Sequence, residues 1–293
     1  MPRSSRPTSS RRSRSGWFIA GAIALTGLAA ALFLLMRPAG LAEQAAWTRF
    51  GSSDVHSLAF VGGDAEHVLF GHHGGISESR DGGRTWSALP DRTDAMSLSA
   101  ASDGSIIVAG HDVFRGSPDG GATWAPIETD LPSLDIHGFT RDPADPRRMW
   151  AYLATGGLWE STDVGAHWTR VREDNVIFPV AVADGTGTRV LAVDASGLVT
   201  STDGGRTWAT LGLPPIYPMT SLAATTDGRL IYAGSPDGLF RSGDGGRSWA
   251  ATGYRGSAFA VATSAVGDVV AVVSRETDFF RSPDSGDSWP GPG

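Results

Sequence analysis

Histidine is the residue type in this chain with the widest choice of chemistry. The sequence has seven histidines and no cysteine, so a disulfide framework and thiol chemistry are excluded. A neutral imidazole can bind a transition metal or take up a proton, and a protonated one can hold an anionic ligand. Five of the seven recur at two kinds of position in a repeated pattern, namely His56, His72, His73, His111 and His137. Whether these five can act together depends on the elements that carry them.

A similar octet recurs six times from residue 79 onward. The copies read SRDGGRTW, SPDGGATW, STDVGAHW, STDGGRTW, SGDGGRSW and SPDSGDSW. Their aspartates are spaced by 38, 44, 40, 41 and 40 residues. In a chain with 39 glycines and 17 prolines, a period near 40 residues favours a β-propeller with one blade per repeat.

The first repeat predicts four short strands, at residues 56–61, 67–72, 75–79 and 85–89. The octet falls between the third and fourth strands, where an aspartate can accept backbone N–H bonds and glycine tolerates positive φ. Its tryptophan opens the fourth strand and offers apolar surface to the next sheet. We therefore interpret the aspartates and tryptophans of all six octets as structural: Asp81, Asp119, Asp163, Asp203, Asp244, Asp284, Trp86, Trp124, Trp168, Trp208, Trp249 and Trp289.

The pattern S-x-D-x-G-x-x-W resembles the Asp-box, or BNR, repeat of sialidase-like propellers, which also occurs in sortilin-type receptors and photosystem II assembly factors. The overall layout more closely resembles bacterial membrane-anchored Asp-box proteins that carry a glycosyl hydrolase label. This resemblance implies an all-β fold, a six-bladed β-propeller of four-stranded blades. It also implies that the octets are structural turns away from the ligand face.

The sixth octet ends at Trp289, and only four residues follow it. Residues 47–50 (WTRF) match residues 168–171 (WTRV), which follow the third octet's histidine. We therefore predict that strand 47–50 closes blade six, which removes the open sheet edges. The propeller is then one domain, residues 47–293.

The N-terminal region predicts a membrane anchor. Residues 16–36 are uncharged and, as a helix, match a hydrocarbon core about 30 Å thick. Five arginines precede this run, so the positive-inside rule predicts a cytoplasmic Arg-rich tail at 1–15, a single-pass transmembrane helix at 16–36, a linker at 37–46 and the propeller outside a bacterial membrane. A cleaved signal peptide is the alternative.

The charge distribution argues against a nucleic-acid partner. The chain has a net charge of −7, and residues 1–46 hold six arginines and one glutamate, which leaves −12 for the remainder. Phosphate binding needs a basic face, which such an acidic domain does not favour.

The propeller assigns the histidines to one face. In this fold the octets lie on one face, and the starts of first strands and the loops after second strands lie on the other. His56 and His137 begin first strands, while His73 and His111 each stand six residues before an octet serine, with His72 beside His73.

We predict that these five histidines share one face of blades one to three. There they would hold a divalent transition metal or another ligand, and carboxylates such as Asp112 or Asp135 would support such a site. The alternative is that each histidine caps a loop or fills a polar channel.

Two classes of function follow. The first is a binding or assembly module that recognises a protein, glycan or metal through the histidines. The second is a glycoside hydrolase related to sialidases, for which the resemblance implies three arginines around a carboxylate, a tyrosine nucleophile assisted by a glutamate, an aspartate acid/base and an F/Y-R-I-P stretch. The sequence has no such stretch, and Tyr254 is the best nucleophile candidate among its four tyrosines. We favour the binding module, and whether the protein is an enzyme stays open.

Overall fold

A computed structural model describes residues 44–62, 64–212 and 217–292. These residues form 24 β-strands in six four-stranded antiparallel sheets. The strand before the first blade is β1 (Thr48–Arg49). The strands of blades one to three are β2 (Ser57–Val61), β3 (Asp64–His72), β4 (Gly75–Ser79), β5 (Ser87–Ala88), β6 (Ser97–Ala100), β7 (Ile106–Gly110), β8 (Val113–Ser117), β9 (Ala125–Pro126), β10 (Ile136–Arg141), β11 (Met149–Leu153), β12 (Gly157–Ser161) and β13 (Thr169–Arg172). Those of blades four to six are β14 (Ile177–Ala183), β15 (Thr188–Asp194), β16 (Gly197–Ser201), β17 (Ala209–Gly212), β18 (Ser221–Ala224), β19 (Ile231–Ser235), β20 (Gly238–Ser242), β21 (Ala250–Ala251), β22 (Ala260–Thr263), β23 (Val270–Val273) and β24 (Asp278–Ser282).

The predicted six-bladed propeller of four-stranded blades is confirmed. The first strand of each blade contacts the first strand of the next, and β22 of blade six contacts β2 of blade one. Six first strands therefore surround one central channel. All six first strands run in the same direction through this ring. One face of the propeller therefore carries the starts of the first strands, and the other face carries their ends.

The predicted tail at 1–15 and transmembrane helix at 16–36 lie outside the described residues. Among the residues that the structure does describe, no helix is long and apolar enough to cross a membrane.

Apolar side chains fill the space between neighbouring blades. Each pair of adjacent blades shares one cluster of buried residues, which explains why the second strands β7, β11, β19 and β23 are buried at every position. Trp150, in the second strand of blade three, is fully buried and donates its Nε1–H to the carbonyl of Gly204 in the octet of blade four at 3.1 Å. The blades are thus joined by apolar burial and by hydrogen bonds to neighbouring octets.

β1 is the outer strand of blade six. It runs antiparallel to β24, with Thr48 opposite Phe279. The backbone N–H of Trp47 extends the ladder by donating to the Phe279 carbonyl at 2.8 Å. A segment from the start of the described chain therefore completes the sheet formed by its end.

Each octet is a hydrogen-bonded turn. In the first octet, Ser79 Oγ accepts the N–H of Gly83 at 2.7 Å, and Asp81 accepts the N–H and the hydroxyl of Thr85 at 2.8 and 2.6 Å. Trp86 donates its Nε1–H to the Gly83 carbonyl at 3.0 Å. Serine, aspartate and tryptophan are needed at this spacing because each satisfies a backbone or side-chain group of the same turn.

The second glycine of the octet is required by the packing between blades. Gly83 has a φ of +100°, and a Cβ built on it would lie 2.2 Å from the ring of Phe279 in blade six. Any larger residue would force the two blades apart.

The aspartates of the octets should make the stability of the fold sensitive to acid. Hydrogen bonds from the residue four positions later lower the pKa to about 2 for Asp81, Asp119, Asp163 and Asp244, from an ordinary value of 3.8. A carboxylate with a depressed folded pKa stabilises the fold above its unfolded pKa, and that stability is lost as the pH falls towards the folded pKa. We expect the thermal midpoint of unfolding, measured by circular dichroism, to fall steeply between pH 4 and about pH 2.

The variant Asp119→Asn is the matched comparison, because it removes one titrating group while keeping an oxygen acceptor. Its midpoint should fall less steeply over the same pH interval. A wild-type midpoint that stays constant from pH 4 to pH 2 would contradict the structural role of these carboxylates.

Candidate functional site

The six first strands enclose a channel of about 640 Å³. The octets lie beside the turns between the first and second strands, as the bond from Gly82 N–H to the Glu66 carbonyl shows for blade one, at 2.8 Å. The opposite mouth is formed by the starts of the first strands, where His56 and His137 line the channel. We call this second side the histidine face.

In blade one, two histidines and an aspartate meet at the histidine face. His56 precedes β2, and His73 lies in the loop between β3 and β4. Their rings approach with His56 Nε2 2.7 Å from His73 Nδ1. Asp54 accepts the backbone N–H of His73 at 3.0 Å and also contacts its Nδ1.

In blades two and three a similar group forms around His111 and His137. His111 Nε2 lies 3.2 Å from His137 Nε2, and His137 Nε2 lies 3.0 Å from Asp135 Oδ1. On its other side, His111 Nδ1 lies 2.6 Å from Asp94 Oδ2. Asp94 reaches back to blade one, where its Oδ1 is 3.6 Å from His56 Nε2.

These two groups make one continuous row, which we call the histidine row. It contains three overlapping sets of donor atoms whose members all lie within 4.8 Å of one another. The sets are Asp54, His56 and His73; His73, Asp94 and His111; and His111, Asp135 and His137. Two imidazoles and a carboxylate are a donor set that suits first-row transition metals.

Burial affects the protonation of His56 and Asp54, at the blade-one end of the histidine row. Burial lowers the pKa of His56, although the carboxylates of Asp54 and Asp94 act in the opposite direction. Burial tends to raise the pKa of Asp54, but hydrogen bonds from His73 and Ser53 outweigh it and leave that pKa lowered. A neutral imidazole beside an ionised carboxylate is the protonation state that metal binding requires.

Two residues singled out from the sequence lie outside the row. His72 is half-buried, its ring centroid is 5.5 Å from that of Phe70, and its Nδ1 accepts the N–H of Gly74 at 3.0 Å. Asp112 has a φ of 56° and donates its backbone N–H to the Leu134 carbonyl. His72 is the last residue of β3 and Asp112 lies in the loop between β7 and β8, and neither belongs to a donor set.

Asp54 and Asp94 were missed by the sequence analysis. A signal for them exists, because Asp54, Asp94 and Asp135 occupy the same position of the repeat, in the stretches DVH, DAM and DIH. An extended chain places residues two apart on the same side. The aspartates therefore point towards the same mouth as the histidines that follow.

Tyr254 does not line the channel. Its side chain is 1% exposed and packs against Phe280 and Trp289, with ring centroids 5.3 and 4.9 Å away. The hydroxyl donates to the Ser257 carbonyl at 3.0 Å, and burial raises its pKa. In this position the hydroxyl is enclosed by protein and is not presented to a substrate.

The acid and base groups of a sialidase-like site are also not assembled. Arg141 is the one arginine, and Asp142 the one carboxylate, among the described residues that line the channel. The Arg141 guanidinium donates to Ser99 and Ser105 at 2.6–3.1 Å. Asp142 is 3% exposed and accepts the Thr188 hydroxyl at 2.5 Å. Both groups are used within the protein.

The other half of the same mouth carries aromatic side chains. Phe178 of blade four and Phe259 of blade six line the channel opposite the histidines, whereas Met96 of blade two lies between His56 and His137. Phe178 has a φ of 54°, a strained value for a bulky residue. The guanidinium of Arg275 lies 5.8 Å from the Phe259 ring centroid. The mouth is therefore divided into a polar half, which carries the histidine row, and an aromatic half.

Comparisons with known proteins support the fold. No family model matches the chain. The photosystem II assembly lipoprotein Ycf48 of Synechococcus sp. (strain CC9902) is 29% identical over 130 residues, a match that spans 42% of this chain and 39% of that protein. The GH74 xyloglucanase of Xanthomonas campestris superposes with a TM-score of 0.56 at 19% identity, over 84% of this chain and 46% of the enzyme. A structure of YCF48 bound to D1 peptide superposes with a TM-score of 0.52 at 16% identity, over 83% of this chain and 98% of that one. At these identities the structural matches show a shared propeller fold.

Proposed function

We propose that this propeller is a ligand-binding or assembly module that takes up an extended protein segment at the histidine face. The observation that carries the proposal is the divided mouth of the channel, with the histidine row on blades one to three and the aromatic residues Phe178 and Phe259 facing it. A peptide offers both an apolar side chain for the aromatic half and polar groups for the row. The Ycf48 propeller whose structure is bound to D1 peptide supports a protein ligand.

The alternative is a glycoside hydrolase of the sialidase type. Such an enzyme needs a tyrosine nucleophile and an acid/base carboxylate that are free to reach the substrate. Here Arg141 and Asp142 are engaged by neighbouring residues, and Tyr254 is enclosed. These contacts favour binding over hydrolysis.

We also propose that the propeller works outside the cytoplasm and is attached to a membrane. The support comes from the arginine-rich residues 1–15 followed by the uncharged run 16–36. The related Ycf48 protein is a lipoprotein, which agrees with a membrane-associated location.

A selection from a displayed library of random 12-residue peptides tests the binding proposal. Peptides enriched on the purified full chain should bind Phe259→Ala at least tenfold more weakly, because this variant lacks one of the aromatic rings that line the mouth. Val266→Ala is the matched control, since Val266 is 71% exposed and lies in the turn between β22 and β23 on the octet side. Val266→Ala should bind the same peptides as wild type does.

Two outcomes would contradict the proposal. One is a selection in which no peptide is enriched over a blank surface. The other is binding that survives Phe259→Ala and is lost in Val266→Ala. Turnover of xyloglucan or of a fluorogenic sialoside above blank would favour the hydrolase instead.

A further inference from the structure

We infer that His111, His137 and Asp135 bind one divalent transition-metal ion with coordination positions left open at the channel mouth. The inference deepens the proposed function, because an ion there would offer a bound protein segment a coordination site. Only the use of the ion rests on the proposed function, because the three ligands are assigned from distances alone.

The spacing of the three donor atoms fits a tetrahedral ion. Metal–ligand bonds of about 2.0–2.1 Å in a tetrahedron place donor atoms roughly 3.3 Å apart. The edges of this triangle are 3.2 Å from His111 Nε2 to His137 Nε2, 3.0 Å from His137 Nε2 to Asp135 Oδ1, and 3.6 Å from His111 Nε2 to Asp135 Oδ1. The three edges therefore lie on either side of the expected value.

Asp94 prepares His111 for this role. Its Oδ2 lies 2.6 Å from His111 Nδ1, so the Nδ1–H donates to the carboxylate and the lone pair is left on Nε2. A carboxylate behind a ligating imidazole fixes the ring and raises its basicity. The Asp94 side chain is only 12% exposed, so the surrounding protein restricts its motion.

The other two donor sets contain contacts that are shorter than the spacing of two ligands on one tetrahedral ion. In the set of Asp54, His56 and His73, His73 Nδ1 is 2.7 Å from His56 Nε2 and closer still to the carboxylate. The middle set contains the short contact between Asp94 and His111. We therefore assign these residues to a hydrogen-bonded network beside the ion.

The assigned site is open to solvent. The side chains of His111, Asp135 and His137 are 44%, 41% and 36% exposed, whereas that of His56 is 13% exposed. His137 also lines the channel. Three protein ligands with an accessible side leave a position for water or for a ligand's carboxylate, as in catalytic rather than structural metal sites.

Titration of the metal-free full chain with Co²⁺ tests the inference, because the visible spectrum of Co²⁺ reports its ligands. We expect one ion per chain and a spectrum that changes when acetate is added. His137→Ala and Asp135→Ala should each weaken Co²⁺ binding at least a hundredfold. His167→Ala is the matched control, since that imidazole contacts Asp163 in an octet and should leave the affinity unchanged.

Each other result overturns part of the assignment. A failure to bind Co²⁺ would mean that the row is a hydrogen-bonded cluster. A hundredfold loss in His56→Ala, with His137→Ala unaffected, would move the ion to the other end of the row. A spectrum unchanged by saturating acetate would overturn the open position. None of these results depends on peptide selection, so the inference and the proposed function can fail separately.

Discussion

Replacing Phe50 with alanine should destabilise the propeller by about 2 kcal/mol, less than the removal of a fully buried phenylalanine costs, because the ring is half-buried. Phe50 directly follows β1, and its ring stacks on Phe70 at a centroid distance of 4.2 Å and meets the edge of Trp86 at 4.7 Å. Both partners belong to blade one, so this side chain joins the outer strand of blade six to the next blade. For a domain of this size the loss corresponds to a fall of about 4–8 °C in the thermal midpoint.

Arg49→Ala is the control within the same strand. Arg49 is 69% exposed and pairs with Asp278 at the surface, where ion pairs contribute little. Its loss should lower the midpoint far less than the loss of Phe50. If the thermal midpoint of Phe50→Ala equals that of Arg49→Ala, the packing of residues 47–50 does not stabilise the closure of the propeller between blades six and one.

Replacing Asp94 with alanine should weaken Co²⁺ binding about 10- to 100-fold, although Asp94 is not assigned as a ligand. Without the carboxylate, His111 loses the acceptor that fixes its ring and its tautomer. Asp94→Asn keeps an oxygen that can accept the same N–H, so it should recover most of the affinity. The binding constants are measured by the same Co²⁺ titration.

The rescue separates a positioning role from a general loss of stability. Thermal midpoints of both variants without metal serve as the control for folding. An affinity unchanged in Asp94→Ala would contradict the role of Asp94 in orienting His111. An Asp94→Asn variant as weak as Asp94→Ala would show that charge matters and that orientation does not.

The architecture was predictable because its determinants are local and repeated. The serine, aspartate, glycine and tryptophan of one octet bond to one another within eight residues, so their spacing in the sequence is the spacing of the turn itself. The likeness between residues 47–50 and 168–171 pointed to the outer strand in the same way. Six repeats with a regular period then fixed the number of blades.

The site was only partly predictable because its contacts join different blades. The topology placed five histidines on one face, but which of them meet depends on the twist and the approach of neighbouring sheets. His72 sits beside His73 in the sequence and yet turns towards Phe70. Asp94 stands two residues before a methionine rather than a histidine, so only its alignment with Asp54 and Asp135 marks it as a member of the site.

Tyr254 illustrates the limit of reading loops from sequence. It stands among small and polar residues, in ATGYRGSAF, which suggests an exposed loop. The structure buries it because Phe280 and Trp289 of blade six provide an apolar pocket for its ring. Such pockets form between segments that the local sequence does not connect.

The proposed ion at His111, Asp135 and His137 places the chemistry of this protein on the histidine face. The most direct measurement is an anomalous difference map from crystals of the full chain soaked in Co²⁺, with data collected just above the cobalt absorption edge. The account predicts a single peak enclosed by the two Nε2 atoms and the Asp135 carboxylate. A peak between Asp54, His56 and His73, or cobalt bound only on the octet face, would contradict it.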